Sequence, residues 1–170
     1  MPSQPQAQDN NMIVNAYSNP FLLDFLIVAE RAPQDERDQL EAFTGQPYNA
    51  EGAAAGAWAQ PGPKWVFKTD KGQPLAVAGY VQERPGVWRD FMINTPESFG
   101  EHWFSVTRHA IRIMNAMFLS GQAHRLECVS LASRTKAHKW YGVLGMNFEG
   151  TMHGYCASGA DAVLYARCKH

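Results

Sequence analysis

HRLECVSLASRTKAHKWYGVLGMNFEG, residues His124–Gly150, is the stretch on which the fold turns. It reads as strand, loop, helix, turn and strand. Leu126, Cys128 and Ser130 alternate with Arg125, Glu127 and Val129, the period of a short strand. Ser133 and Thr135 are the candidate N-caps of the helix that follows, because a hydroxyl accepts from the free amides of a first turn. Ala137, Trp140, Tyr141 and Leu144 share one face at helical spacing. Gly145 should stop that helix, since a left-handed residue costs glycine least. Phe148 begins the next strand.

The segments before this stretch are an N-terminal helix pair and a run of strands. A first strand is expected over Met12–Ala16. Asn19-Pro20 reads as a helix start, a side-chain cap followed by proline where its missing N–H is harmless. Phe21, Leu22, Phe25, Leu26 and Ala29 form its buried face, and Pro33 closes it. A charged helix spans Asp35–Phe43 and ends at Gly45. Ala50–Ala59 is rich in small residues and reads either as a short helix anchored by Trp58 or as a flexible lid, since Gly52 and Gly56 weaken a helix. Trp65–Thr69, Leu75–Gln82 and Val87–Asn94 are strands joined by Asp70-Lys71-Gly72 and Arg84-Pro85-Gly86, an antiparallel meander. Thr107–Leu119 is the plainest helix, with Val106, Ala110, Ile113, Met114 and Met117 as its apolar stripe and Arg108, Arg112 and Asn115 opposite; Gly121 ends it. Phe148–Tyr155 and Ala162–Cys168 pair through Ser158-Gly159-Ala160. The order is that of an α+β fold: a mixed, mostly antiparallel twisted sheet with helices on both faces.

At 170 residues the chain is one domain, residues 12–170, behind a Gln- and Pro-rich tail, residues 1–11. A hydrophobic content of 45% and a charged content of 18% are those of a soluble globule. A net charge of −1 gives no electrostatic case for nucleic acid or an anionic membrane. No apolar run approaches a membrane span, and the first residues lack the pattern of a signal peptide. The three cysteines, Cys128, Cys156 and Cys168, form no CxxC pair, so reduced thiols and a cytoplasmic setting are expected. His153, Cys156, Cys168 and His170 are all on the last hairpin but too spread along it to converge on zinc, so no metal is expected.

The run Tyr141-x-x-x-Gly145-Met146-x-x-Glu149-Gly150 resembles the Y-x-x-x-G-F-x-x-x-G signature of GNAT-type acyl-CoA N-acyltransferases. With His138, Lys139 and Trp140 before it, it is most similar to small acetyltransferase-like proteins of short-tailed bacteriophages, some of them internal virion proteins. Arg31–Tyr48 also resembles the N-terminal helix pair of those proteins. The resemblance implies a GNAT-like sheet, acetyl-CoA as substrate and Tyr141 as the general acid that protonates the leaving thiolate; a half-buried core aromatic is the plainer alternative. It also implies that the amides of Phe91, Met92 and Ile93 polarise the thioester carbonyl. Asp90 and Glu83, near the ends of the central strands, are the candidate bases; His109 and His138 are weaker ones. Cys128 has no histidine placed to activate it.

The family's pyrophosphate loop, Q/R-x-x-G-x-G/A, corresponds here to Thr95–Trp103, which keeps only Gly100. Glu97 and Glu101 place negative charge there and repel a diphosphate unless they point away, and Phe99 and Trp103 are bulky. Arg108, Arg112, Arg134 and Lys136 are the cations that could compensate by gripping phosphates, or else a solvated basic face. Arg134 also stands where the family often has asparagine. Three functions therefore follow. One is acetyl transfer from acetyl-CoA to an amine, a host protein's among the acceptors. The second is a catalytically silent GNAT-fold phage protein that binds a virion component or host protein. The third is an acyltransferase fed by a carrier-protein thioester.

Overall fold

The computed structural model describes residues 13–169. The N-terminal segment 1–11 lies outside the described residues, as do Met12 and His170. In chain order the elements are β1 (Val14–Ser18), α1 (Leu22–Glu30), α2 (Gln34–Thr44), α3 (Ala50–Ala59), β2 (Lys64–Thr69), β3 (Pro74–Arg84), β4 (Val87–Asn94), α4 (Pro96–Phe99), α5 (Trp103–Leu119), β5 (Arg125–Leu131), α6 (Thr135–Val143), β6 (Asn147–Met152) and β7 (Ala162–Cys168).

Seven strands form one sheet in the order β1-β2-β3-β4-β5-β7-β6. β4 and β5 run parallel, and all other neighbours are antiparallel. This is the mixed α+β sheet expected. Alternation along the strands divides the core. Val66, Val77 and Ile93 face α1 and α3 through Phe25, Val28, Ala29 and Ala54. On the same side α2 packs Ala42 against Leu131 and Ala162. On the opposite face Tyr80, Leu126 and Cys128 meet Met114, Met117, Tyr141 and Leu144 of α5 and α6.

The feature that positions a site is where the sheet fails to zip. β4 and β5 pair only from Val87–Arg125 to Arg89–Glu127. Beyond that they run on unpaired with each other, to Asn94 and Leu131. The paired end is held by Glu127, buried between two arginines: Arg89 Nη2 donates to it at 3.0 Å and Arg125 Nε at 2.9 Å. At the open end α2 takes the place of the missing partner. Gln39 Oε1 accepts from Leu131 N–H at 2.9 Å and from the Ser130 hydroxyl at 3.1 Å.

Several local expectations change. β1 is Val14–Ser18. Asn19 does not cap α1; it turns the chain at φ 55, and α1 starts at Leu22, where Asp24 accepts from the Phe21 amide at 3.0 Å. α3 is a helix, capped by Asn49 accepting from Gly52 N–H at 2.7 Å. Trp58 does not anchor it and is 45% exposed; the small Ala54 does so, because it lets α3 lie close on α1. α5 begins one turn earlier than expected, at Trp103. Neither Ser133 nor Thr135 caps α6; Arg134 is the N-cap residue and no side-chain cap bond is made. β6 stops at Met152.

Candidate active site

The wedge between β4 and β5 opens into a cleft of about 800 Å³. Its walls come from the start of α2, from β4, from the turn around α4 and from α6. Thr95 N–H donates to Leu75 of β3 at 2.9 Å. Backbone groups alternate sides along a strand, so the Phe91 and Ile93 amides also turn to β3, and those of Asp90, Met92 and Asn94 turn to the gap. Of the three amides expected to polarise a carbonyl, Met92 therefore has the right direction. Phe91 lines the cleft, whereas Ile93 is buried against α1 and does not reach it. The same alternation leaves the Val129 amide facing the gap from β5, since Gln39 has taken that of Leu131.

Tyr141 and Asp90 both line the cleft. Burial pushes the Tyr141 phenol well above its ordinary range, nearby Cys128 and Asp90 push it further, and Ser130 only partly offsets them. The phenol stays protonated and can donate. Burial also raises the Asp90 carboxyl to about 7, against the pull of Arg89 and with a further push from Glu36. A carboxylate that exchanges its proton near neutrality suits a base. Glu83, the other expected base, does not belong here. It lies near the end of β3, pairs with Arg89 at 3.4 Å and does not line the cleft.

The expected cations divide. Lys136 lines the cleft, exposed, with no carboxylate within ion-pair distance among the described residues. Arg134 lines it too, but its Nη2 is spent on Asp35 and Glu36, both at 3.0 Å. Arg108 is exposed over the Phe104 ring at 5.9 Å and stays outside the cleft. Gly100 lines the cleft beside Phe99 and Trp103, and the Phe99 ring stands edge-on to Trp140 at 4.8 Å between centroids. Glu97 does point away, toward an ion pair with Arg31, and Glu101 is also outside the lining. The negative charge that seemed to bar a diphosphate is turned aside.

The remaining candidates are structural. His109 Nε2 contacts the Val14 carbonyl at 2.7 Å and His138 Nε2 the Leu131 carbonyl at 3.1 Å. Burial drives the Cys128 thiol far above its ordinary value, so it is inert. On the last hairpin His153 pairs with Asp161 at 2.9 Å, and Cys168 ends β7 beside β5.

Sequence reasoning missed Glu36, Gln39, Asn94 and Lys139, all of which line the cleft. Glu36 is 2% exposed, bonded by Arg134 and by Asn94 Nδ2, and burial raises its carboxyl to about 7 despite Arg134. Nothing in the charged α2 sequence marks it. Lys139 had a signal, three residues after Lys136 on one helix face.

No protein-family model and no curated protein matches the chain. Solved structures do. A GNAT-family acetyltransferase from Bacillus anthracis is 10% identical with a TM-score of 0.71, over 91% of this chain and 94% of that one. RimL, a ribosomal alpha-N-protein acetyltransferase in complex with coenzyme A, is 10% identical with a TM-score of 0.71, over 92% and 94%. A ribosomal-protein alanine acetyltransferase from Vibrio fischeri is 15% identical with a TM-score of 0.65, over 90% and 92%. The chain has the GNAT fold, along nearly its whole length.

Proposed function

We propose that the chain is a GNAT-type N-acetyltransferase that moves acetyl from acetyl-CoA to an amine. The observation that carries this is the unzipped β4–β5 wedge, with the Met92 amide on one strand and Tyr141 and Asp90 lining the same cleft. The acetyltransferases that share the fold support the chemistry, and one of them holds coenzyme A. The Met92 and Val129 amides offer strand-like bonds to the amides of a pantetheine arm, and Lys136 and Lys139 offer charge to its phosphates.

Asp90 takes a proton from the acceptor ammonium. The amine attacks the thioester carbonyl carbon, forming the C–N bond as the carbonyl electron pair moves onto oxygen, where the Met92 amide stabilises it. The C–S bond then breaks, Tyr141 gives its proton to the thiolate, and the extra proton on the new amide nitrogen restores the phenol. An amine on a protein is the acceptor class we favour, a host protein's if the chain is phage-borne, with the reaction in the cytoplasm. Among the described residues no helix is long and apolar enough to cross a membrane.

A second reading has a specific observation behind it. Phe99 and Trp103 line the cleft and stand exposed, with exposed Phe104 beside Trp103, which suits a silent GNAT fold that binds a virion component or host protein. Calorimetric titration with acetyl-CoA separates the two. Micromolar binding is expected. In an acceptor screen Tyr141→Phe should lower kcat about 100-fold or more with little change in KM. Absence of binding at millimolar acetyl-CoA sinks the enzyme reading and favours the second.

A further inference from the structure

The sheet ends in two edge strands, β6 and β1, and they are not protected alike. β6 carries a bulge between Phe148 and Gly150 and the charge of Glu149, paired with Arg125, devices that discourage a further strand from adding on. β1 has neither: its register against β2 is unbroken, and its sequence, VNAYS, holds no charge and no proline. The Ile13 carbonyl accepts from Asp70 N–H at 3.1 Å and Asn19 N–H donates to Lys64 at 3.2 Å, so the odd-numbered residues bond β2. The backbone groups of Val14, Ala16 and Ser18 therefore point to the outer edge. His109 Nε2 meets the Val14 carbonyl there, and among the described residues no strand pairs with that edge.

The face beside this edge is apolar. Tyr17 lies opposite Val66, which packs on α1, so Tyr17 and Ile13 stand exposed on the side of the sheet that carries α1. Phe21, 76% exposed, and then Leu22 and Leu23 follow where α1 starts, held over β2 by Asp24 pairing with Lys68 at 2.7 Å. Trp58 comes alongside, sharing a small pocket with Asn19 and Pro20. The α1 sequence, LLDFLIVAE, is apolar nearly all round, and helices of that kind are normally buried. Each of the three aromatics leaves on the order of 100 Å² of ring in water. With the aliphatic side chains and the strand edge, the face approaches the roughly 800 Å² per partner of a stable interface.

We propose that β1 is the docking edge for a second copy of this chain, the two β1 strands pairing antiparallel about a two-fold axis at Ala16. Two identical strands in antiparallel pairing obey such an axis, so one edge serves both copies. Centring on Ala16 sets Val14 against the second copy's Ser18 and Ala16 against itself, which uses every outward residue of β1. A centre at Asn15 or Tyr17 leaves one of them out. The same register brings Ile13 diagonally across from the second copy's Tyr17, apolar on apolar. The face is also compatible with itself in charge, because Asp24 and Lys68 neutralise each other within each copy. The β4–β5 cleft is three strands in, roughly 15 Å from the edge, so it stays open in the dimer and the proposal does not rest on the acetyl-CoA reading.

The test is sedimentation velocity of the full chain. Wild type should run as a dimer that dissociates on dilution. Ala16→Pro should raise the dissociation constant about tenfold or more, since proline removes an outward N–H and leaves the bonds to β2 in place. Tyr17→Lys, which needs no change of backbone, should do the same and serves if Ala16→Pro does not fold. Cross-linking reads the register, in a Cys168→Ser background that removes the exposed native thiol. Asn15→Cys mixed with Tyr17→Cys should form a disulfide, because those positions face each other across the axis. Either variant alone stands diagonal to itself at about 7–8 Å and should not. A wild-type monomer at about 100 µM overturns the proposal. So does a dimer that both Ala16→Pro and Tyr17→Lys leave intact, which puts the interface elsewhere. Dimerisation only after removal of residues 1–12 overturns it too, making that segment the occupant of the edge in the intact chain.

Discussion

Asp90 and Tyr141 are moved in the same direction by the same cause, and the consequences differ because the mechanism we propose uses one as a base and the other as an acid. Burial raises the Asp90 carboxyl from 3.8 to about 7. Between those values the folded chain holds a proton that the unfolded chain has lost, so stability falls as pH rises through that window. Glu36, raised from 4.5 to about 7, adds a parallel slope. Asp90→Asn should therefore melt higher than wild type at about pH 8, converge with it near about pH 4, and show a shallower dependence between. On the proposed mechanism, the same substitution should abolish the rise of acetyl transfer with pH that is expected of wild type around neutrality. A melting temperature for Asp90→Asn that tracks wild type at every pH would put the carboxyl in water.

The elements that make the site are shaped by what their neighbours allow. Gly79 in β3 lies under the Phe91 ring of β4: a Cβ there would come within 2.4 Å of Phe91 Cζ and 2.8 Å of the Pro63 carbonyl oxygen. Phe91 also lines the cleft, so Gly79→Ala should cost about 1–3 kcal/mol in chemical denaturation and weaken acetyl-CoA binding as the ring shifts. Unchanged affinity would detach Phe91 from the donor site. Helix caps carry the same lesson. The α3 cap at Asn49 and the left-handed Gly45 after α2 follow ordinary sequence chemistry, but α6 starts at Arg134 without a hydroxyl cap. Arg134 is held there by Asp35 and Glu36 of α2, partners nearly a hundred positions away in sequence.

For the molecule as a whole, the decisive property is that β4 and β5 stay apart beyond Arg89 and Glu127. A parallel pair has no hairpin to zip it, and α2 occupies the opening through Gln39. Gln39→Ala leaves the Leu131 amide without its partner. It should cost about 1–3 kcal/mol, with faster amide exchange at Leu131, and weaken acetyl-CoA binding. Unaltered exchange at Leu131 would show that another group replaces Gln39.

How much of this the sequence determined by itself follows from the range of each interaction. Strand alternation in β5, the face of α6 that buries Tyr141 and Leu144, the turns at Gly72 and Gly86 and the order of elements all depend on neighbours a few residues apart, and they were legible. Tyr141, Asp90, Met92 and Lys136, reached with the help of the family resemblance, line one cleft. Only the tertiary structure decided that Glu83 pairs with Arg89 outside it, that Arg134 is committed to α2, and that Glu36 and Gln39 enter the cleft. It also turned Glu97 away toward Arg31. Those outcomes are choices of partner by charged and amide side chains with several within reach, and the choice is made by which groups packing brings together and burial deprives of water.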